Sequence, residues 1–166
     1  GNGKAVNVAG IAVTGADAGN YIANTTAATT ANIGKAALTI GATGVDKVYD
    51  ATTGASVTLN DNRLGNDSVS LAYGNPAFAA KNAGAGKSVS VGGITVTGAD
   101  AGNYVANTTA STTATIAKAA LTIGAAGIDK VYDATTVANV NLNDNRLGSD
   151  SLTLSYGNAA FADKNA

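Results

Sequence analysis

Six residue types are absent from the 166-residue chain: Cys, Met, Trp, His, Glu and Gln. Without His and Cys, the chain lacks the most common general base, the thiol nucleophile and the soft-metal ligands. Without Glu, all eleven acidic side chains are Asp. No nucleophile can be paired with a His or Glu base. We therefore expect a protein that is not an enzyme, with no catalytic residues, no cofactor and no metal.

Charge of one sign and long apolar runs are also scarce. Ten basic side chains face eleven acidic ones, so the net charge is −1 and no basic surface for nucleic acid is indicated. No apolar run approaches the roughly 18 residues of a membrane-spanning helix. An initiator Met and a signal peptide are lacking too. We expect a piece of a longer protein whose partners include neither nucleic acid nor a membrane.

Four small residue types dominate the composition instead. The chain has 36 Ala, 21 Gly, 21 Thr and 18 Asn, which together are more than half of it. Val, Ile and Thr number 43, whereas the good helix formers Glu, Gln and Met are missing. Gly and Asn interrupt every Ala-rich window that could have been helical. This composition predicts an all-β fold.

An internal repeat organises the whole chain. The stretch Gly15-Ala-Asp-Ala-Gly-Asn-Tyr21 recurs as Gly98-Ala-Asp-Ala-Gly-Asn-Tyr104, at an offset of 83 residues. Without a gap, 63 of 83 positions are identical between residues 1–83 and residues 84–166. Such self-similarity is typical of tandem arrays of one structural unit.

Each copy contains seven or eight short alternating stretches, spaced about ten residues apart, which is typical of an Ig-like β-sandwich. The alternative is a β-solenoid, because four coils of about 21 residues would also fill one repeat. No similarity appears at an offset near 21, and the similarity at 83 is strong. We therefore predict tandem Ig-like sandwiches that form an elongated rod or filament.

Several residues are candidates for structural roles. The pairs Asp17–Tyr21 and Asp100–Tyr104 fit a tyrosine corner, in which the Tyr hydroxyl bonds upstream backbone. A Gly-rich loop around a buried Tyr would explain the same pattern, and both interpretations stand. We expect side chains of the apolar strands near residues 33–40 to control the junction between modules. The candidates in or near those strands, together with the tyrosines of the other repeated motif, are Ile33, Ile116, Leu38, Leu121, Tyr49 and Tyr132.

Two further patterns indicate a ligand only weakly. Asp61 and Asp67 could meet across a turn and bind Ca²⁺, but the loop fails the EF-hand template and Asp is a common turn former. Thr pairs at 25–26, 29–30, 108–109 and 112–113 could form an exposed array that recognises ice or glycans. Thr is, however, also an ordinary exposed strand residue.

The order of motifs resembles a known family. Lys47-Val-Tyr-Asp-Ala-Thr-Thr53 is similar to the opening signature of YDG-type repeats of large bacterial surface adhesins, and the later motifs follow in the same order. The resemblance to these and related "mostly bacterial Ig-like" modules extends over both copies. The chain departs from the family pattern where Gly is usual after Tyr-Asp and where Pro often follows the Thr-Ile strand. The residues at these positions are Ala51, Ala134, Lys35 and Lys118.

This resemblance implies a structural role. Such modules occur in tandem in filamentous-haemagglutinin-like secreted proteins, as stalk, spacer or adhesive surface. It implies an extracellular location at the bacterial cell surface and a part in adhesion or biofilm formation. A chain threaded unfolded through an outer-membrane pore cannot carry preformed disulfide loops, and the absence of Cys agrees with that. The alternative is a binding module that presents a Thr- and Asn-rich β surface to a glycan, ice or a receptor.

The repeat can be divided at the Ala-Ala-Leu-Thr strand. Residues 36–118 then form one complete module, residues 1–35 the last strands of a preceding one, and residues 119–166 the first strands of a following one. The two outer pieces have 35 and 48 residues, which sum to one repeat of 83. We expect the partners of the chain to be neighbouring repeats or identical chains, joined end to end.

Overall fold

The computed structural model describes residues 1–165. They form an all-β fold, as predicted, with two three-residue 3₁₀ turns and, in this part of the chain, no α-helix. No helix among these residues has the length and apolar character needed to cross a membrane. The strands are β1 (Lys4–Ala9), β2 (Thr26–Ala31), β3 (Ala36–Leu38), β4 (Ile40–Val45), β5 (Lys47–Val48), β6 (Ser56–Asp61), β7 (Ser70–Ala72), β8 (Ala77–Phe78), β9 (Gly84–Val91), β10 (Thr95–Thr97), β11 (Tyr104–Ala106), β12 (Ala110–Ala117), β13 (Ile123–Ile128) and β14 (Asn139–Asp144).

A four-stranded sheet, in the order β5-β12-β9-β8, is the largest element of the fold. Its two long strands are antiparallel, with Ala110 opposite Val91 and Thr113 opposite Ser88. Alternate residues of β9 point to opposite faces, so the side chain of Val89 is buried and that of Ser90 is exposed. The alternation of Val and Ser in the sequence therefore produces one apolar and one polar face.

Shorter strand pairs complete the fold around this sheet. β4 pairs with β6 and β7 with β10 in antiparallel fashion, while β3 pairs with β11 in parallel. β5 joins the edge of the four-stranded sheet parallel to β12. The parallel pairs connect strands that are far apart in the chain, so they tie the beginning of a repeat to its end.

The apolar core lies entirely within one stretch of the chain. All buried residues among residues 1–165 fall between Leu38 and Ile116, and they form a single cluster. Its members are Leu38, Ile40, Val57, Val69, Phe78, Val89, Val91, Ile94, Tyr104, Ala114 and Ile116. We call residues 36–118 the central repeat, with the boundaries predicted from the sequence.

The flanking parts of the chain are less completely folded. The N-terminal segment (residues 1–35) contains the hairpin β1·β2, and the C-terminal segment (residues 119–165) contains the hairpin β13·β14. Neither segment has a buried residue among those described. Equivalent stretches of the two repeats therefore differ in environment, because only the central repeat contains all the strands that its core requires.

Candidate functional site at the junction between repeats

The central repeat and the C-terminal segment meet at a groove of about 310 Å³, which we call the junction groove. One wall comes from the central repeat and the other from the turn that follows β14, and the connecting residues 118–121 form the floor. The lining residues include Tyr49, Asn82, Leu121, Leu147, Asp150 and Leu152.

Asp150 holds the two walls together. Its carboxylate accepts hydrogen bonds from the Tyr49 hydroxyl at 2.7 and 2.9 Å and from Lys81 Nζ at 2.6 Å. Lys81 Nζ also lies 5.8 Å from the centre of the Tyr49 ring, within the range of a cation–π contact. One carboxylate of the C-terminal segment therefore binds two side chains of the central repeat.

The charges at this site stabilise one another. The hydrogen bond from Lys81, followed by that from Tyr49, lowers the pKa of Asp150. The same bond to Asp150 raises the pKa of Lys81. Both groups are therefore ionised at neutral pH. The side chain of Asp150 is 19% exposed and that of Lys81 is 42% exposed, so the carboxylate is partly shielded from water while the ammonium lies at the surface.

The local sequence fixes the position of Asp150. Gly148 adopts a positive φ of 56°, and the turn closes with a bond from Asp150 N to the Leu147 carbonyl. Before this turn, the guanidinium of Arg146 binds the Asp144 carboxylate through Nε and Nη2 and the Leu152 carbonyl through Nη1. The Arg side chain therefore spans the base of the loop, and the carboxylate projects from its tip.

The Lys-Val-Tyr-Asp-Ala-Thr-Thr motif positions the opposite wall. Lys47 Nζ donates to Asp50 Oδ1 and to the Thr52 and Gly54 carbonyls, and it lies 5.5 Å from the centre of the Phe78 ring. The hydrogen bond from Lys47 is the main cause that lowers the pKa of Asp50 to about 2. The motif thus builds a loop closed by its own Lys and Asp, while Tyr49 points outward into the junction.

The second copy of the motif forms the same loop without a junction. Lys130 Nζ bonds Asp133 and the Thr135 and Val137 carbonyls and lies 5.4 Å from the Phe161 ring. Tyr132, the equivalent of Tyr49, is 59% exposed. The loop therefore folds locally, and its Tyr stays accessible to a further partner.

A second groove, of about 390 Å³, lies where the N-terminal segment meets the central repeat, and we call it the N-terminal groove. Its lining includes Ile33, Lys35, Leu64 and Asp67. The last three are the repeat equivalents of Lys118, Leu147 and Asp150 in the junction groove. The two grooves are thus related surfaces of successive repeats, and the N-terminal one lacks a counterpart of Tyr49 and Lys81 among the described residues.

The predicted tyrosine pairs adopt two different states. The Tyr104 ring is buried, and its hydroxyl accepts a bond from Leu64 N and donates one to Asp67. The bond to Asp67 raises the pKa of Tyr104. Asp100 instead accepts a bond from Ser68 N. In the first copy, Tyr21 is 73% exposed and Asp17 does not cap the adjacent 3₁₀ turn with its side chain.

The four apolar candidates are also divided between core and surface. Leu38 and Ile116 lie in the core of the central repeat, so they are not junction residues in this structure. Leu121 lines the junction groove and Ile33 lines the N-terminal groove. Sequence reasoning did not identify Lys81 and Asp150. The signal that could have found them is that Lys81, Lys164, Asp67 and Asp150 are retained in both copies, whereas nearby loop residues vary.

The two carboxylates considered for calcium have separate partners. The Arg63 guanidinium binds Asp61 through two nitrogens, and that hydrogen bonding is the main cause that lowers the pKa of Asp61. Asp67 is occupied by Tyr104. Within residues 1–165, no group of three or more acidic side chains could hold a metal ion.

Asn107 completes the central repeat in a way that the sequence did not indicate. Its side-chain carbonyl accepts a bond from Ile40 N at 2.7 Å, and its amide donates to the Ile40 carbonyl at 2.9 Å. The side chain therefore pairs with β4 as a strand backbone would, directly after β11 ends.

Comparison with known proteins gives one match. The family model of the YDG domain matches residues 34–114 and residues 116–166. The boundary between the two matches falls at residue 115, within β12 and close to the end of the central repeat. No curated protein and no solved structure matches the chain.

Proposed function

The chain belongs to the YDG domain family, and we propose that it is a structural repeat of a secreted bacterial surface adhesin or matrix fibre. In this proposal it acts as a stalk at the cell surface, as in filamentous-haemagglutinin-like proteins, and supports adhesion or biofilm formation. Its role is mechanical and not catalytic. The observation that carries the proposal is the junction, where Tyr49 and Lys81 of one repeat bind Asp150 of the next.

The contacts around the core support an Ig-like sandwich as the unit of the stalk. Val89, Val91 and Ile116 of the four-stranded sheet belong to the same buried cluster as Leu38, Ile40 and Val57 of the shorter strands. A core shared between the four-stranded sheet and the shorter strands is what a sandwich requires, and it supports this proposal. In the central repeat, the parallel pairs β3·β11 and β5·β12 join the first strands of the unit to its last.

The junction supports a defined angle between units instead of a free linker. Only residues 118–122 separate β12 from β13. Residues 118–121 of this connection line a groove whose walls are bonded through Asp150. A short connection, together with a carboxylate that bonds both Tyr49 and Lys81, restricts the relative motion of two modules. Repetition of such a junction extends a quasi-one-dimensional array, as in other repeat proteins.

The distribution of Thr favours a stalk over an ice- or glycan-reading surface. Thr112 and Thr113 are successive residues of β12, so their side chains point to opposite faces of the sheet. Thr112 is half-buried and Thr113 is exposed. A flat array that matches a regular ligand would need its Thr residues on one face.

Small-angle X-ray scattering on chains of two, four and six repeats tests the stalk proposal. A rod predicts a radius of gyration that grows about threefold between two and six repeats. A compact particle would grow only about 1.5-fold, because its radius of gyration scales roughly as the 0.38 power of length. Measurements at the lowest usable concentration, extrapolated to zero, exclude association. Compact scaling would contradict the proposal.

The Asp150→Ala variant of the same chains tests the junction itself. Loss of both contacts to the central repeat should increase the flexibility of the array. Circular dichroism checks that the modules stay folded, because a complete module also loses the contact equivalent to Tyr104–Asp67. The scattering profile should shift from that of a stiff rod towards that of a flexible string. Asp163→Ala is the matched control, because within residues 1–165 the Asp163 side chain bonds only to the backbone of Asn165, in its own loop. An unchanged profile for the Asp150 variant would show that this carboxylate does not set the angle.

A further inference from the structure

Four strand pairs join the first part of the central repeat to its last part. They are β3·β11, β5·β12, β7·β10 and β8·β9, and each has one strand within residues 1–83 and one that begins at residue 84 or later. By contrast, β4·β6 lies wholly in the first part and β9·β12 wholly in the last part. The central repeat is therefore built from two pieces that fold locally and then pair with each other.

The two outer segments contain these pieces separately. The hairpin β1·β2 of the N-terminal segment is the equivalent of β9·β12, and β13·β14 of the C-terminal segment is the equivalent of β4·β6. The equivalents of the joining strands, apart from β1 and β2, are not strands in the described chain, except for a single bridge at Ala160. These ranges are residues 12–14, 21–23, 119–121, 130–131, 153–155 and 160–161. Strands have formed only where both partners lie in the same segment.

The outer segments also expose the side chains that form the core of the central repeat. Tyr21 is 73% exposed, whereas its equivalent Tyr104 is 6% exposed. Ile33 is 65% exposed against 1% for Ile116. The C-terminal segment shows the same contrast, with exposed residues whose equivalents Ile40 and Phe78 are buried, namely Ile123 and Phe161. Each segment thus has half of a core without the other half.

We infer that the C-terminal segment of one copy and the N-terminal segment of a second copy fold together into a complete module. This inference rests on the proposed role as an end-to-end repeat, and it names an identical chain as the partner. The central repeat supplies the pairing: its register places Tyr21 of the second copy beside Ala119, Thr14 beside Thr153, and Ile33 beside Lys130.

Polar contacts fit the same partner. Asn24 corresponds to Asn107, so its amide would pair with the backbone of Ile123 as Asn107 does with Ile40. Tyr21 corresponds to Tyr104, so its hydroxyl would reach Asp150 as Tyr104 reaches Asp67. A carboxylate has about four acceptor positions, so Asp150 can bind Tyr21 of the second copy while it retains its contacts to the central repeat.

The geometry of the contact makes it open-ended. It joins the C-terminal segment of one chain to the N-terminal segment of another, which are different surfaces, so the interface is heterologous. A two-fold dimer would need the same surface on both chains. Each added chain therefore leaves one unpaired segment at either end, and assembly proceeds to larger species as the concentration rises.

Two neighbouring residues provide a test with a matched control. Tyr21 and Ile22 are both largely exposed in the single chain. In a completed module, however, the equivalent of Tyr21 is buried, while Val105, the equivalent of Ile22, remains 63% exposed. The Tyr21→Ala change should therefore remove a central contact of the interface, and the Ile22→Ala change should not.

Sedimentation equilibrium of the full chain and both variants, over a concentration series, measures the association. We expect masses that rise in steps of the 16.0 kDa chain for the original protein and for Ile22→Ala. Tyr21→Ala should weaken the association at least tenfold, as expected for the loss of a buried aromatic anchor. Circular dichroism should show an unchanged fold, because the variant residue lies outside the core.

Two results would overturn the inference. The first is a single-chain mass at every concentration; the second is equal association of the original protein and Tyr21→Ala, which would assign the contact to another surface. Neither result alters the scattering test of the stalk proposal, since that test uses covalently continuous repeats at zero concentration. Failure of the inference and failure of the proposed function are therefore separable.

Discussion

The substitution Ile116→Ala should destabilise the central repeat strongly, and Ile33→Ala should not, although both residues occupy the same position of the repeat. Ile116 is 1% exposed, and truncation to Ala removes three carbons from the core. The transfer term alone is about 2.4 kcal/mol at roughly 0.8 kcal/mol per carbon. The remaining cavity brings the expected loss to about 3–4 kcal/mol, within the usual range of roughly 2–5. For a domain of this size, that lowers Tm by roughly 12–30 °C.

Ile33 is 65% exposed, so its truncation should cost less than about 0.5 kcal/mol. Urea unfolding followed by circular dichroism compares the two variants, at a concentration where the chain is a single molecule. The slope of the transition should stay unchanged, because both variants expose the same surface on unfolding. Equal losses for the two variants, or a loss below about 1 kcal/mol for Ile116→Ala, would refute the assignment of the core to the central repeat.

Three further predictions concern particular contacts. Asn107→Ala should destabilise the central repeat by about 1–3 kcal/mol in urea unfolding, because two backbone groups of β4 lose their partner. The matched variant Asn24→Ala should be near neutral in the single chain. Ala51→Gly should stabilise it by up to about 1 kcal/mol in the same assay, because Ala51 has a φ of 64°, a conformation that costs an L-residue roughly 1–2 kcal/mol. The contacts of Asp150 should be present above about pH 4 and lost as the pH falls through its lowered pKa. The NMR chemical shifts of the Tyr49 ring, measured over a pH series, follow this loss.

Each of these predictions has a contrary result. A loss for Asn24→Ala that equals the loss for Asn107→Ala would mean that the two side chains have the same environment. A destabilised Ala51→Gly variant would mean that the methyl group, which faces Gly148, contributes more than the strain removes. A transition of the Tyr49 shifts at or above the ordinary Asp value of about 3.9 would contradict the lowered pKa of Asp150.

Much of the local structure could be predicted from the sequence alone. The β-rich composition and the alternation of Val with Ser in β9 predict strands, and the structure has them. Ala51 and Ala134 stand where the family pattern usually has Gly, and both have a positive φ, at 64° and 62°. A position that the family fills with Gly is thus a left-handed turn, and this chain places Ala there in both copies.

Long-range contacts could not be predicted in the same way. Tyr49 and Asp150 are 101 residues apart, and no local pattern connects a Tyr in one loop to an Asp in another. The role of Asn107 depends on β4, 67 residues earlier in the chain, so no local pattern around Asn107 indicates it. Such pairs are set by the packing of separate elements, and short-range periodicity contains no information about that packing.

The contrast between Tyr21 and Tyr104 shows a second limit. Both belong to the identical stretch Gly-Ala-Asp-Ala-Gly-Asn-Tyr, yet one is exposed and the other is buried and bonded to Asp67. The same local sequence has two environments, because Tyr104 lies in the central repeat, where β11 pairs with β3. The described chain contains no such partner strand for Tyr21. Burial is a property of the assembled module and not of the motif.

Hydrogen exchange measured by mass spectrometry on the intact chain tests the central claim most directly. At low concentration, slow exchange should be confined to residues 36–118, with fast exchange in both outer segments, because the core lies only there. As the concentration rises, residues 1–35 and 119–165 should become protected together, since each completes the other. Equal protection of the outer segments and the central repeat at the lowest concentration would contradict the account.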